Sequence, residues 1–235
     1  MNKLLEKIRS RGHWKVIIRP GTFVANKIPD ISELYPILES RSVQLRGWDF
    51  PHLDSQSKLT YGPDWIEQES EWEEYLEFWR FYQSGQFIDF FALDEDWLHQ
   101  ATRSSKLKEQ PSGLFLDVED TVFRFTEIFE FSSRLALTEA GDEQMHLEIL
   151  VSRLNGRSLR VQPGRAPFRQ KQIASISELP YKVDLARVQL ITEPRELALK
   201  PAVELFRRFG WNPSLEILRD MQDELLHRGS GVARR

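Results

Sequence analysis

The sequence predicts an α+β fold, a mostly antiparallel sheet packed on one long helix, and three features predict it. Two aromatic-rich runs flank Ser84-Gly85 and read as a hairpin over 77–93. A second pair of β-rich runs flanks Asn155-Gly156 and reads as a hairpin over 146–161. Between them, Val118, Val122, Phe125, Phe129 and Ala136 recur at helical spacing, widened by Phe123, Ile128, Phe131 and Leu135. So broad an apolar surface predicts a helix over 118–140 that is covered on more than one side. No βαβ rhythm repeats along the chain.

The remaining elements follow in order. Residues 2–10 read as an amphipathic helix stopped at Gly12, and 14–19 as a strand closed by Pro20-Gly21. A short helix is expected over 31–40, capped by Asp30 or Ser32, with Glu33 suited to the positive end of its dipole. Residues 42–45 form the next strand and 54–63 a loop. In 65–72 the alternation Ile66, Gln68, Ser70, Trp72 favours a strand, although Trp72, Tyr75, Leu76 and Trp79 recur at helical spacing. A two-residue turn at Ser84-Gly85 sets Arg80 opposite Asp89 and Trp79 opposite Phe90. On the long helix, Gly141 is the expected C-cap, and Asp120–Arg124 and Glu130–Arg134 are expected i,i+4 ion pairs. A basic loop over 162–170 and a short strand over 173–176 precede two helices, 193–209 and 214–227, joined by Gly210-Trp211-Asn212-Pro213. The organisation expected is a core over 1–190 with a helical appendage over 191–228, together one structural unit.

Composition narrows the function classes. A chain of 235 residues with 40% hydrophobic and 29% charged residues is that of an ordinary globular protein. The absence of cysteine removes disulfides, zinc ribbons and thiol nucleophiles and suits a reducing cytoplasm. No apolar run approaches membrane-spanning length, so no membrane partner is expected. The net charge of −4 is divided into poles. Residues 64–77 hold seven acidic side chains and no basic one, whereas 153–171 hold six basic side chains and no acidic one.

Nucleotide-cradle, nucleophile-elbow and HExxH motifs are absent. The densest polar cluster is Arg46-Gly47-Trp48-Asp49-Phe50-Pro51-His52-Leu53-Asp54, at the exit of a strand. Asp49, His52 and Asp54 are candidate metal ligands, and Asp49 and His52 candidate catalytic groups with Arg46 steadying an anion. The competing reading makes this a plugged turn whose polar groups satisfy backbone. Arg153, Arg157, Arg160, Arg165, Arg169 and Lys171, with Phe168 interleaved, form the stronger candidate, a basic hairpin and loop for nucleic-acid phosphates.

The segments 46–52 (RGWDFPH), 82–87 (YQSGQF) and 209–211 (FGW) together resemble an uncharacterised family of bacterial proteins, a likeness spread over most of the chain. It implies a bacterial cytoplasmic protein and carries no activity or residue role. The expectation is therefore a non-catalytic cytoplasmic binding or accessory subunit without cofactors, contacting nucleic acid or an acidic protein surface through the basic strip. Two alternatives stand beside it. One is a metal-dependent hydrolase or nuclease centred on Asp49, His52 and Asp54. The other is a structural homo-oligomer joined through the aromatic hairpin.

Overall fold

The computed structural model describes residues 2–72, 75–97, 114–162 and 165–232. In chain order the elements are α1 (Lys3–Arg9), β1 (His13–Pro20), α2 (Leu34–Arg41), β2 (Val43–Gln44), β3 (Asp49–Phe50), β4 (Thr60–Tyr61), β5 (Trp65–Trp72) and β6 (Tyr75–Tyr82). Then follow β7 (Phe87–Ala92), β8 (Phe115–Asp117), α3 (Val118–Leu135), β9 (Gln144–Ser152), β10 (Ser158–Arg160), β11 (Glu178–Ala186), α4 (Arg187–Thr192), α5 (Pro194–Arg207) and α6 (Leu215–Val232). Seven strands make one sheet in the order β11-β9-β1-β7-β6-β5-β4, every neighbouring pair antiparallel. The expected α+β class is the observed one.

Strand alternation decides the layers. In β1 the side chains of Trp14, Val16 and Ile18 are buried in the main core. That inner face receives α3, where the Trp14 ring meets Phe125 edge-on at 5.0 Å and Phe87 meets Phe131 at 4.9 Å. The other face carries a smaller cluster, Leu76, Phe78, Ala92 and Trp97, closed by Leu4 and Ile8 of α1. Asn2 caps α1 by accepting from the Leu5 N–H at 3.0 Å. The aromatic hairpin thus buries Trp79, Phe81, Phe87 and Phe91 on one face and Leu76, Phe78 and Ala92 on the other.

The hairpin itself is shifted by one residue from the expected register. Phe81 faces Phe87, Arg80 faces Ile88 and Trp79 faces Asp89. The turn holds three residues rather than two, with Gly85 at φ +81° and Tyr82 N–H donating to the Gln86 carbonyl at 2.9 Å. A one-residue slip moves side chains to the opposite face. Asp89 therefore lies buried beside the core instead of pairing with Arg80, which binds Glu67 on β5.

Four further expectations are corrected. The run 157–161 does not fold back on β9, whose edges are taken by β1 and β11; β10 instead pairs in parallel with β8. Helix α3 ends at Leu135, with tight turns carrying the chain on to Gly141. Its expected ion pairs are not formed: Asp120 binds Arg46, Arg124 binds Asp94 and, one turn along the helix, Glu127, and Glu130 binds Arg195. Strand β11 was not expected, because Pro180 and scattered charge conceal it. Such residues are tolerated on a sheet edge, where β11 lies.

The C-terminal helices are part of the same core, with Leu197, Phe206, Leu218 and Met221 in one apolar cluster with the sheet. Among the described residues no helix is long and apolar enough to cross a membrane.

Gly85 joins two links of this chain, since a Cβ there would sit 2.8 Å from the Ala140 carbonyl oxygen as well as at positive φ. Gly85→Ala is expected to destabilise the fold by about 1–3 kcal/mol, read from urea unfolding. An unchanged midpoint would contradict the turn geometry.

Candidate functional site

The segment 46–54 lies against the inner face of the sheet near the start of β6. Strands β2 and β3 pair as Val43 with Phe50 and Gln44 with Asp49, and Gly47 makes the turn at φ +79°. Phe50 plugs the core between Phe91 and Phe131, each 5.8 Å away. Two residues on, His52 is clipped to the sheet through its backbone. His52 N–H donates to the Glu77 carboxyl at 3.2 Å, and the Trp79 indole N–H donates to the His52 carbonyl at 2.9 Å.

On this scaffold Asp49 and His52 form a dyad. Asp49 Oδ1 lies 2.7 Å from His52 Nδ1, and Asp49 Oδ2 accepts the Leu53 N–H at 2.9 Å. The imidazole stacks on Trp48 at 4.3 Å, Trp48 on Trp72 at 5.7 Å, and Tyr75 meets both His52 and Trp48 edge-on. Burial acts to lower the His52 pKa, but the hydrogen bond and charge of Asp49, with Glu77 and Asp54, outweigh it and the pKa is raised. Burial likewise acts to raise Asp49, and the bonds from His52 and Leu53 reverse it, so Asp49 is lowered.

The fold does not bring Asp49, His52, Asp54 and Arg46 into one cluster. Asp54 does not join the dyad in a ligand set; its carboxylate caps a turn, accepting from Gln56 N–H at 2.8 Å and Ser57 O–H at 2.5 Å. Among the described residues no group of three or more His, Asp or Glu is placed to hold a metal ion. Arg46 is committed elsewhere. Its Nε and Nη2 fork onto Glu127 and its Nη1 binds Asp120, all at 2.9 Å.

Beneath the dyad lies a feature that sequence reasoning missed. Glu77 and Asp89 stand on the inner face of adjacent strands with relative exposures of 1% and 0%. Glu77 accepts from the Tyr75 hydroxyl and from His52 N–H. Neither oxygen of Asp89 has a donor at hydrogen-bonding geometry, and the Glu77 carboxyl is its polar neighbour. Arg124, the nearest cation of α3, spends its hydrogen bonds on Asp94 and Glu127. Desolvation raises Glu77 to about 7, against the pull of Tyr75 and His52, and raises Asp89 well above the carboxylate range, with Glu77 adding to the shift. Two carboxyls in one dry site cannot both ionise, so the pair holds a proton between them. The available signal was period two: Phe87-x-Asp89-x-Phe91 puts an Asp on the same face as two core rings.

The basic strip is divided by the fold. Arg157 is buried at 1% exposure. Its guanidinium binds Asp96 at 2.5 Å, the Phe115 carbonyl at 3.1 Å and the Arg153 carbonyl at 2.7 Å, so it cannot reach a phosphate. Gly12 makes room for that pair, since a Cβ there would meet both partners. Arg160 lies over the Phe115 ring and near Asp117, and Arg165 binds Glu119 and Glu224. Arg153, Arg169 and Lys171 remain exposed.

Arg153 instead meets residues from the far end of the sequence. A cleft of about 970 Å³ opens where β1 begins and β9 ends, lined by Arg9, Arg11, His13, Ser152, Arg153 and Glu178, with Asp96 and Arg157 also at its wall. Arg11 stacks on Trp97 at 4.0 Å and donates to the Asp96 carbonyl. His13 registers the local field. Burial lowers its pKa, the Arg11 carbonyl opposes, and the charges of Arg9 and Arg153 lower it further. Nothing in the N-terminal sequence marks Arg9 and Arg11 as neighbours of Arg153, because only the β1–β9 pairing brings them together.

Two outcomes follow. Arg157→Ala leaves Asp96 buried and unpaired, and is expected to destabilise the protein by about 3–5 kcal/mol in denaturant unfolding; a loss below about 1 kcal/mol would contradict the burial. For pH, the folded Glu77 pKa of about 7 lies above its reference of 4.5, so the folded state binds that proton more tightly. The resulting stability, on the order of 3 kcal/mol, is present below about pH 4.5 and lost as pH rises through about 7. Glu95 and Asp117, raised by burial to about 7 and about 6, act in the same direction, and the lowered His13 acts against them. Urea unfolding at pH 5 and pH 8 should show the protein less stable at pH 8.

No protein-family model matches this chain, and no curated protein or solved structure is significantly similar to it.

Proposed function

We propose that this protein is a non-catalytic cytoplasmic binding protein that holds nucleic acid by its phosphates in the cleft between α1 and the end of β9. One observation carries the reading: Arg9, Arg11 and Arg153 line a single large cleft. Among the described residues no carboxylate forms an ion pair with any of the three. Arg9 and Arg153 are exposed and Arg11 is half-buried. Although Glu178 shares the wall, arginines outside ion pairs are the groups that phosphate oxygens displace counterions from. The apolar Leu114 and Leu150 in the same wall, with the Arg11 guanidinium held over the buried Trp97 ring, suit the sugar and base of a nucleotide rather than a bare ion. The site thus keeps one residue of the basic strip, Arg153, and leaves Arg157 as its structural floor.

The test is titration of labelled single- and double-stranded DNA and RNA at two salt concentrations, with wild type and an Arg9→Glu/Arg153→Glu double variant. Both positions are exposed, so the variant is expected to fold with stability within about 0.5 kcal/mol of wild type. Affinity should drop about tenfold or more, and the slope of log K against log salt should fall by about 1–2. Equal binding by the variant, or no binding by wild type at the lower salt, sinks the reading.

A further inference from the structure

The seam between segment 46–54 and the sheet is poorly satisfied. Four of the buried polar atoms that lack a partner lie along it: Trp48 Nε1, Ser70 Oγ and both oxygens of Asp89. Ser70 stands directly opposite Glu77 across β5 and β6, so the floor under the segment is a row of buried polar groups, Ser70, Glu77 and Asp89. The segment is held to this floor through Glu77, which accepts the His52 N–H, and through the Trp79 indole on the His52 carbonyl. The segment has other anchors, namely Arg46 on Glu127 and Asp120, Gln68 on the Asp54 backbone, the Trp79 indole and the Phe50 plug. The His52 N–H is the attachment that depends on the state of the carboxyl pair.

We propose that the Glu77–Asp89 pair is a proton-operated latch for the His52 turn of segment 46–54: one shared proton holds that turn on the sheet, and losing it releases the turn while Arg46 and Phe50 keep the start of the segment in place. The physical argument is the cost of a second buried charge. With one proton, an O–H bridges the two carboxyls and Glu77 keeps its bonds from His52 N–H and the Tyr75 hydroxyl. Without it, two anions face each other where neither Asp89 oxygen has a donor. Water has to enter, and the seam under the segment is the nearest cover. The groups facing the pair are Tyr75 on β6, His52 and Asp49 on the segment, and Arg124 on α3. Arg124 opposes release but is already shared with Asp94 and Glu127. Asp94, raised by burial, competes with the pair for Arg124. His52 loses its own proton over a neighbouring range, and this weakens its attraction to Asp49 and Glu77 in the same direction. Release would uncover the Trp48 ring, now layered between His52 and Trp72.

Hydrogen exchange of the His52 and Leu53 amides, corrected for the intrinsic pH dependence of exchange, tests this between pH 5.5 and 8.5. In wild type their protection should fall about tenfold or more as pH rises, while the Val16 amide in the central strand keeps its protection. Asp89→Asn keeps the size of the side chain and a donor towards Glu77, leaves His52 and Asp49 in place, and removes the second carboxyl. Its His52 and Leu53 protection should be flat with pH. A variant that loses protection as wild type does would assign the effect to His52 and overturn the latch, as would a flat wild-type profile. Should Asp89→Asn fail to fold, Glu77→Gln leaves a single carboxyl by the other route, and the same flat profile is required of it.

Discussion

Helix α3 has almost no solvent face, and much of the architecture answers to that. Fourteen of its eighteen residues are buried, including Glu119, Thr121, Thr126, Glu127, Ser132 and Ser133. A buried polar group is tolerable only with a partner, and the chain supplies these from far away. Arg46 arrives from the segment before β3 to fork onto Glu127, Arg165 from the loop after β10 to Glu119, and Gln222 from α6 to the Thr126 hydroxyl. Thr121, Thr126 and Ser132 also donate to their own i−4 carbonyls, so the helix satisfies part of its need internally. The wrapping explains why the C-terminal helices share the core: without α5 and α6, an apolar stripe and several polar groups of α3 would face water unmatched.

The same end of the molecule concentrates negative charge. Asp49, Glu77, Asp89, Asp94, Glu95, Asp117, Asp120 and Glu127 gather around Arg46 and Arg124. Arg124 is held charged by Glu127 and Asp94 despite its burial. His52 offsets Asp49 and Arg160 lies near Asp117, while burial shifts Glu77, Asp89, Asp94, Glu95 and Asp117 towards the protonated form. Such an arrangement is a poor way to gain stability, since an apolar replacement of similar volume commonly does as well or better. Perturbed groups that accumulate at one place are more characteristic of working sites than of scaffolding.

How much of this was legible depended on the range over which each signal acts. Local patterns read well: the N-terminal helix, the β-rich run of β1, the alternation of Ile66, Gln68 and Ser70, and the apolar stripe of α3 all appear where their spacing places them. Register did not, because Ser84-Gly85 suits either a two-residue turn or the end of a three-residue one, and the choice decides which face Asp89 takes. Long-range ion pairing did not either. Asp120 and Arg124 are spaced for each other, yet Asp120 binds Arg46 from another element and Arg124 is shared between Glu127 of its own helix and Asp94. The basic strip was visible as a run of charges, but whether Arg157 points outward depends on Gly12 and Asp96, which sequence proximity does not connect. The RGWDFPH segment marked the right neighbourhood, while its polar depth came from β6 and β7.

Strand β1 occupies the middle of the sheet, although it is the first strand of the chain. It is bordered by β7 on one side and β9 on the other, and Val16 faces Ile149, about 130 residues later. During synthesis the hairpin of β6 and β7 can form early and take β1 along one edge, but the opposite edge of β1 stays unpaired until β9 has emerged. An exposed interior edge built of Trp14, Val16, Ile17 and Ile18 is a template for pairing with other chains. The order of the sheet therefore assigns this protein a vulnerable interval in its biogenesis, spanning the production of α3. Its non-local pairing also puts it among the slower-folding topologies, where rate and not final stability limits yield.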